Sequence, residues 1–301
     1  MGRVGGFQAA RFVQRSAGLA ALFILAGCGG STEPEPTVPL SRSSEHFEFE
    51  SNTARATAAE MDLGIQQAEQ HHAAIAALVG ENRIRTGKIT VYLKGDKTDA
   101  ETGGYVDESG AVHISRYRQD LGGYFGSLAH EIAHALRYSY WHRFNVGPWE
   151  NFGFIEEGYA EYAAIAVHPG KMGFPFYGYS PDIITAQRLI RGEGIPQQVM
   201  RDRHDLNSRC EWQTYPLRAS WFRYVEDEYG LEAVLAIAFS EVETTDERIE
   251  SVLGTSLEQV DADWEQWLLA RHAAVPNASD LAAHYFQKFG AEPICQAGVD
   301  W

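Results

Sequence analysis

The chain has 301 residues, 45% of them apolar, which allows one large domain or two small ones around a sizeable core and excludes wholesale disorder. Its formal charge is −16, from 25 Lys and Arg against 41 Asp and Glu. A surface that acidic repels phosphate backbones and has no pull towards anionic lipid headgroups, so nucleic acid is set aside as a partner.

The first 28 residues hold Arg3, Arg11 and Arg15 and no acid; without them the balance is 22 to 41, a net −19. An apolar run from Ala17 to Gly27 follows the basic leader. It is shorter than the roughly 20 apolar residues of a membrane span, and it reads as a targeting segment. The run ends in Leu25-Ala26-Gly27-Cys28, which resembles the bacterial lipobox. That resemblance implies an acylated Cys28 at the mature N-terminus and a membrane contact through lipid alone. Gly29 stands where an inner-membrane lipoprotein carries Asp, which favours the outer membrane in a cell that has one. Residues 29–45, rich in Gly, Ser, Pro and Glu, are expected to be a flexible tether.

His46 to Glu50 alternates polar and aromatic residues, as a half-buried strand does. Ala56 to Val79 reads as a long helix stopped by Gly80, with His71 and His72 on its surface. Lys88 to Leu93 reads as a strand, and residues 104–106 and 111–115 as a hairpin around Asp107-Glu108-Ser109-Gly110. Helices are expected over 121–140 and 154–167, then over 181–191, 216–229, 231–240, 244–253 and 256–272. Trp264 and Trp267 are expected in the core, and the acids of 241–250 on a solvated face. Cys210 and Cys295 remain after Cys28; in an exported chain a disulfide between them is expected, two separate buried thiols being the alternative.

The chemistry lies in His130-Glu131-Ile132-Ala133-His134. Histidines four apart on a helix differ by about 40° around the axis, so both rings reach one ion. Glu131 points about 100° away from His130, beside the ion rather than on it, where a carboxylate can take a proton from water. Catalytic zinc keeps three protein ligands and an open position. The next helix offers Glu156, Glu157 and Glu161. Glu157 can bind the metal while Glu161, on the same face, accepts from the far nitrogen of a liganding ring. Glu156 competes for the ligand role, but its neighbour four on is Ala160, which accepts nothing, so Glu157 is preferred.

His-Glu-x-x-His followed by Glu157-Gly158-Tyr159-Ala160 resembles the gluzincins, the thermolysin-like and aminopeptidase-like zinc metallopeptidases, and their peptidase-MA-like branch most closely. The resemblance spans roughly residues 45–271, including Tyr215 to Gly230 and Leu253 to Leu268. It implies zinc as cofactor, His130, His134 and Glu157 as ligands, Glu131 as general base, and a peptide or protein substrate. It also implies that the last strand before the motif helix, residues 111–115, is a sheet edge lining the cleft, although His113 on it reads as a surface residue. Tyr215, just ahead of a helix, is the first candidate to stabilise the oxyanion, and His204 the second. The amine-capturing Gly-x-Met-Glu-Asn of the aminopeptidases has no counterpart before His130, so cleavage within a chain is expected. The aromatic segment 139–154 packs under the two helices or walls the cleft.

The expected fold is therefore α+β and zincin-like. It comprises a signal peptide (1–28), a tether (29–45), an α/β subdomain with both ligand helices (46–180) and a helical subdomain (181–301). The functional alternative is a binding lipoprotein that keeps the peptidase fold without catalysis. Glu131 speaks against it, because a purely structural metal site has no use for that carboxylate.

Overall fold

A computed structural model describes residues 40–51, 57–94, 104–115, 127–137, 153–167, 180–190, 208–240, 242 and 244–272. All of them fall within one compact unit, 36–301. The signal segment with Cys28, the aromatic segment up to residue 152, His204 and Cys295 lie outside the described residues, as does the side chain of Cys210.

The chain is a mixed α+β protein, mostly helical, with one five-stranded sheet and eight α-helices among the described residues. Strand β1 (Leu40–Ser43) falls within the span 29–45 expected to be a flexible tether and corrects that expectation for residues 40–43. It pairs antiparallel with β2 (Phe47–Ser51), Arg42 lying opposite Phe49. Its Ser-Arg-Ser tail is polar because β1 is an edge, alternating only half-buried with exposed positions, so no apolar pattern announces it. In β2 the burial alternates, with Phe47, Phe49 and Ser51 inside and Glu48 and Glu50 outside, as the period of two requires.

Helix α1 (Ala58–Val79) starts on a capping box: Thr57 Oγ1 accepts from the Glu60 N–H at 3.2 Å, and Glu60 accepts from the Thr57 N–H at 2.7 Å. Its buried stripe runs through Met61, Gly64, Ala68, His71, His72, Ile75 and Val79, which corrects the surface placement of the two histidines. His72 stacks on His46 at 3.8 Å and meets the edge of Phe47, while His46 is held by Glu69 at 2.6 Å. These partners lie in β2 and the turn before it, so helical spacing alone did not expose them.

Strands β3 (Ile89–Lys94), β4 (Gly104–Val106) and β5 (Val112–Ser115) complete the sheet in the order β1-β2-β3-β5-β4. β2, β3 and β5 are parallel, and β4 runs antiparallel to β5. The expected edge position of 111–115 is therefore wrong: β5 is enclosed between β3 and β4, and β4 is the outermost strand on that side among the described residues. A hairpin turned by Asp107 to Gly110 necessarily leaves its first strand outermost when its second pairs with β3. His113 lies on the sheet face away from the core, stacked between Tyr92 (4.9 Å) and Tyr105 (4.5 Å) and joined to Asp107 at 2.6 Å.

The helix over residues 127–137, α2, is followed by α3 (Gly153–Val167), α4 (Pro181–Ile190), α5 (Ser208–Tyr229), α6 (Leu231–Ala238), α7 (Thr245–Leu253) and α8 (Leu257–His272). α5 begins eight residues ahead of its expected start, because Pro216, which reads as a first-turn proline, sits inside the helix. Tyr215 is accordingly a mid-helix residue. An interior proline costs about 3 kcal/mol, and here the buried packing of Pro216, Leu217 and Trp221 offsets it. Three indoles stitch α5 to α8: Trp221 donates to Asp261 (3.1 Å), Trp264 to Ser220 (3.2 Å) and Trp267 to Asp227 (2.9 Å). Trp264 is in the core, as expected, while Trp267 is half-buried. One hydrophobic core runs from Phe49, Val91 and Ile114 of the sheet through Ile132 and Tyr159 to Trp221, Ile249 and Trp264. Among the described residues no helix is long and apolar enough to cross a membrane.

Candidate metal centre

Helix α2 is buried along nearly its whole length: Leu128, Ile132 and Leu136 form the apolar stripe, and Ala129, Ala133 and Ala135 allow close approach. Its last turn is pinned by the Arg85 N–H, which donates to the Leu136 carbonyl at 2.9 Å, while the Arg85 guanidinium donates to Gly110 of the hairpin at 3.1 Å. α3 is likewise buried from Phe154 to Ile165, so its three glutamates lie in the interior rather than on a solvated face.

His130, His134 and Glu157 come together as a group able to hold a metal ion. His130 Nε2 lies 3.1 Å from Glu157 Oε2, His134 Nε2 lies 3.0 Å from His130 Nε2, and His134 Nε2 lies 3.4 Å from Glu157 Oε2. Ligands about 2.0–2.1 Å from a tetrahedral ion stand about 3.3 Å from one another, so this triangle fits one ion at its centre. The outer ring nitrogens are held from behind. His130 Nδ1 lies 3.5 Å from Glu161 Oε2, the partner expected from the sequence, and His134 Nδ1 lies 3.3 Å from Glu156 Oε2. Each ring thereby presents its Nε2 to the common point.

The electrostatics also call for a cation. Glu131, Glu156, Glu157 and Glu161 are all buried, and the Arg137 guanidinium is the buried basic side chain beside them. Among the described residues these four carboxylates stand around two imidazoles and the Arg137 guanidinium, and buried charges need partners. Burial by itself lowers the pKa of His134, but Glu157 and Glu156 override it and raise it to about 9. His130 is likewise raised, its burial outweighed by Glu161 and Glu157. Burial pushes Glu157 up, yet the two rings hold it well below the ordinary carboxylate range. The field that favours protonated rings also favours a divalent ion between them.

Glu131 is buried beside the triad, and burial raises its pKa against the opposing pull of His130 and His134. β4 lies directly on it: a Cβ on Gly104 would meet Glu131 Cγ at 2.8 Å and Oε1 at 3.0 Å. Tyr215 of α5 sets its ring edge-on to His130, centroids 5.6 Å apart. Sequence reasoning missed three neighbours: Gly104, Glu156 as the holder of His134, and Arg137, bonded to Glu156 Oε1. Only Arg137 left a signal, the one Lys or Arg of residues 127–137, next to an apolar stripe. No protein-family model matches the chain, and a search of curated proteins finds no match either.

Proposed function

We propose that this chain is a zinc-dependent peptidase of the gluzincin kind, with a zincin-like sheet and helices, exported and held at a bacterial envelope by a lipid on Cys28. The observation that carries the reading is the convergence of His130 Nε2, His134 Nε2 and Glu157 Oε2 within 3.0–3.4 Å of one another, with the buried Glu131 alongside. Two imidazoles and a carboxylate are donors that suit zinc.

Bound there, zinc supplies Lewis acidity that polarises a peptide carbonyl and lowers the pKa of water. Glu131 takes the proton from that water and passes it to the leaving amine; its raised pKa suits a base that must also release a proton. Glu161 and Glu156 keep the two rings in the tautomer that turns Nε2 inwards. Tyr215 is the group we assign to the oxyanion of the tetrahedral intermediate. The outer edge of β4, the outermost strand on that side among the described residues, reaches Glu131 through Gly104 and accepts an extended peptide by strand addition. With no amine-capturing motif ahead of His130, cleavage falls within the peptide chain.

Glu131→Gln tests the reading. It is expected to abolish hydrolysis of a peptide library while metal analysis still finds one zinc per chain. Full turnover in that variant sinks the mechanism. Stoichiometric zinc with no turnover by the unaltered protein supports instead a binding protein of the same fold.

A further inference from the structure

Glu156 holds His134 by a carboxylate where a neutral acceptor would suffice, and Arg137 is built against it. The two residues face each other across α2 and α3: Arg137 Nη1 bonds Glu156 Oε1, and the other carboxylate oxygen lies 3.3 Å from His134 Nδ1. Arg137 is almost wholly buried, with an exposure of 2%. Its Nε donates to the Ala238 carbonyl at 2.6 Å. Ala238 is the last residue of α6, so that carbonyl is one of those a helix end leaves without an intrahelical partner, and a cation there also meets the negative end of the helix dipole. The guanidinium lies 5.8 Å from the ring centre of Tyr159 and 5.9 Å from that of Phe239.

We propose that Arg137 is a positioning residue for the metal centre: it neutralises Glu156 so that this carboxylate stays turned on His134, and its bond to Ala238 fixes the pair from α6. The inference rests on reading His130, His134 and Glu157 as a metal site. Without the guanidinium, the Glu156 carboxylate loses the cation paired with it in the interior. Its relief is to turn away from His134, which frees the ring to rotate and spoils the ligand triangle. A glutamine at 156 keeps an acceptor oxygen for the ring and needs no counter-charge. The effect of losing Arg137 is therefore conditional on the charge at 156, which a purely structural arginine would not produce.

The test is a double-mutant cycle on purified full-length protein, read by zinc affinity in competition with a chromophoric chelator and by the visible spectrum of the Co²⁺ form. Arg137→Met is expected to weaken zinc by about 10–100-fold, the usual range when a ligand's outer partner is lost. Glu156→Gln alone leaves the buried Arg137 guanidinium without its counter-charge and also weakens zinc, whereas Arg137→Met with Glu156→Gln removes both charges and recovers most of the loss. A folded Arg137→Met protein with unaltered zinc affinity overturns the proposal, and so does a double variant as weak as Arg137→Met alone. Should Arg137→Met fail to fold, the double variant is compared with Glu156→Gln: an affinity in the double at least equal to that of Glu156→Gln upholds the proposal, and a large further loss in the double overturns it. If the unaltered protein binds no zinc, it is the metal-site reading that fails; zinc binding without peptide hydrolysis leaves this inference intact.

Discussion

Glu157 is followed by glycine, and the structure gives that glycine a reason that a single substitution can test. A Cβ on Gly158 would stand 2.8 Å from Phe222 Cε2, 2.9 Å from Phe222 Cδ2 and 3.1 Å from Arg218 Cβ. Real Cβ atoms essentially never sit below 3.0 Å, so α3 and α5 must separate or the Phe222 ring must move. The ring is boxed in: Phe222 is fully buried, with Trp221 at 5.4 Å, Tyr162 at 6.1 Å and Phe154 at 6.2 Å, centre to centre. Gly158→Ala gains about 1 kcal/mol of helix propensity. Overpacking costs about 1–3 kcal/mol, and a ring with nowhere to go puts the cost at the upper end. The net expectation is a loss of about 1–2 kcal/mol, or a fall in Tm of roughly 2–8 °C. Urea and calorimetric melts of the zinc-loaded protein measure it. Displacing α3 also displaces Glu157, so zinc affinity should fall with stability. Pairing Gly158→Ala with Phe222→Leu should restore much of both. A Gly158→Ala protein as stable as the unaltered one, or more so, refutes the reasoning, because the clash would then have relaxed at no cost.

The same geometry carries further expectations. Gly104→Ala puts a methyl against Glu131 Cγ and, at 2.9 Å, the backbone carbonyl of His113; the carbonyl cannot yield, so Glu131 must swing. Displacing a base by about 1 Å can cost about 100-fold, so kcat on a peptide substrate should drop steeply with zinc content unchanged. Tyr215→Phe should lower kcat by about 100–1,000-fold with KM little changed if its hydroxyl meets the oxyanion; an unaltered kcat removes Tyr215 from the mechanism. In the β4–β5 hairpin, burial pushes Asp107 up, but hydrogen bonds from Ser109, His113 and Ala111 outweigh it and hold it at about 2, below the ordinary 3.8. A depressed carboxylate stabilises the fold above its unfolded pKa and loses that contribution as pH falls through the folded value. Stability should therefore fall from about pH 4 to pH 2, and Asp107→Asn should flatten that limb in acid melts.

Much of this molecule could be read from residue order, and the failures share a cause. Phe47 and Phe49 and the stripe of α1 announce themselves by period, whereas α3, buried on every side from Phe154 to Ile165, reads as a helix from its long apolar run. His130, His134, Glu157 and Glu161 were legible because spacing within a helix fixes direction. Glu156 was set aside for lacking a partner four residues on, whereas its partners, His134 and Arg137, come from the other helix. His71 and His72 fall on the buried stripe of α1, and His72 is received there by His46 and Phe47 of the neighbouring strand and turn. The edge position of β4 follows from which strand β3 chooses, a tertiary fact that no local pattern records. Local period finds elements; pairing between elements decides which polar groups end up sharing a site.

That pairing also bears on the boundary expected at residue 180. α3 places Glu156, Glu157 and Glu161 towards α2 while Gly158 lets it press against Phe222 and Arg218 of α5. Arg137 of α2, in turn, is anchored on the end of α6. The helices after 180 thus form the far wall of the candidate centre, and the first half is not expected to hold the His130, His134 and Glu157 triangle without them. Cutting after residue 180 would bare Phe154, Tyr159 and Tyr162, which lie at 1–2% exposure, and would strip Arg137 of the Ala238 carbonyl. Losses of this kind, apolar surface re-exposed and the buried Arg137–Ala238 hydrogen bond cut, are large against the margin of about 5–15 kcal/mol that holds an ordinary domain together. The fragment 1–180 is expected to give no cooperative melt and no zinc binding, measured by calorimetry and chelator competition. A cooperative melt with full-length zinc affinity would show instead that the ligand helices hold each other in place, with the helical half an addition to a finished site.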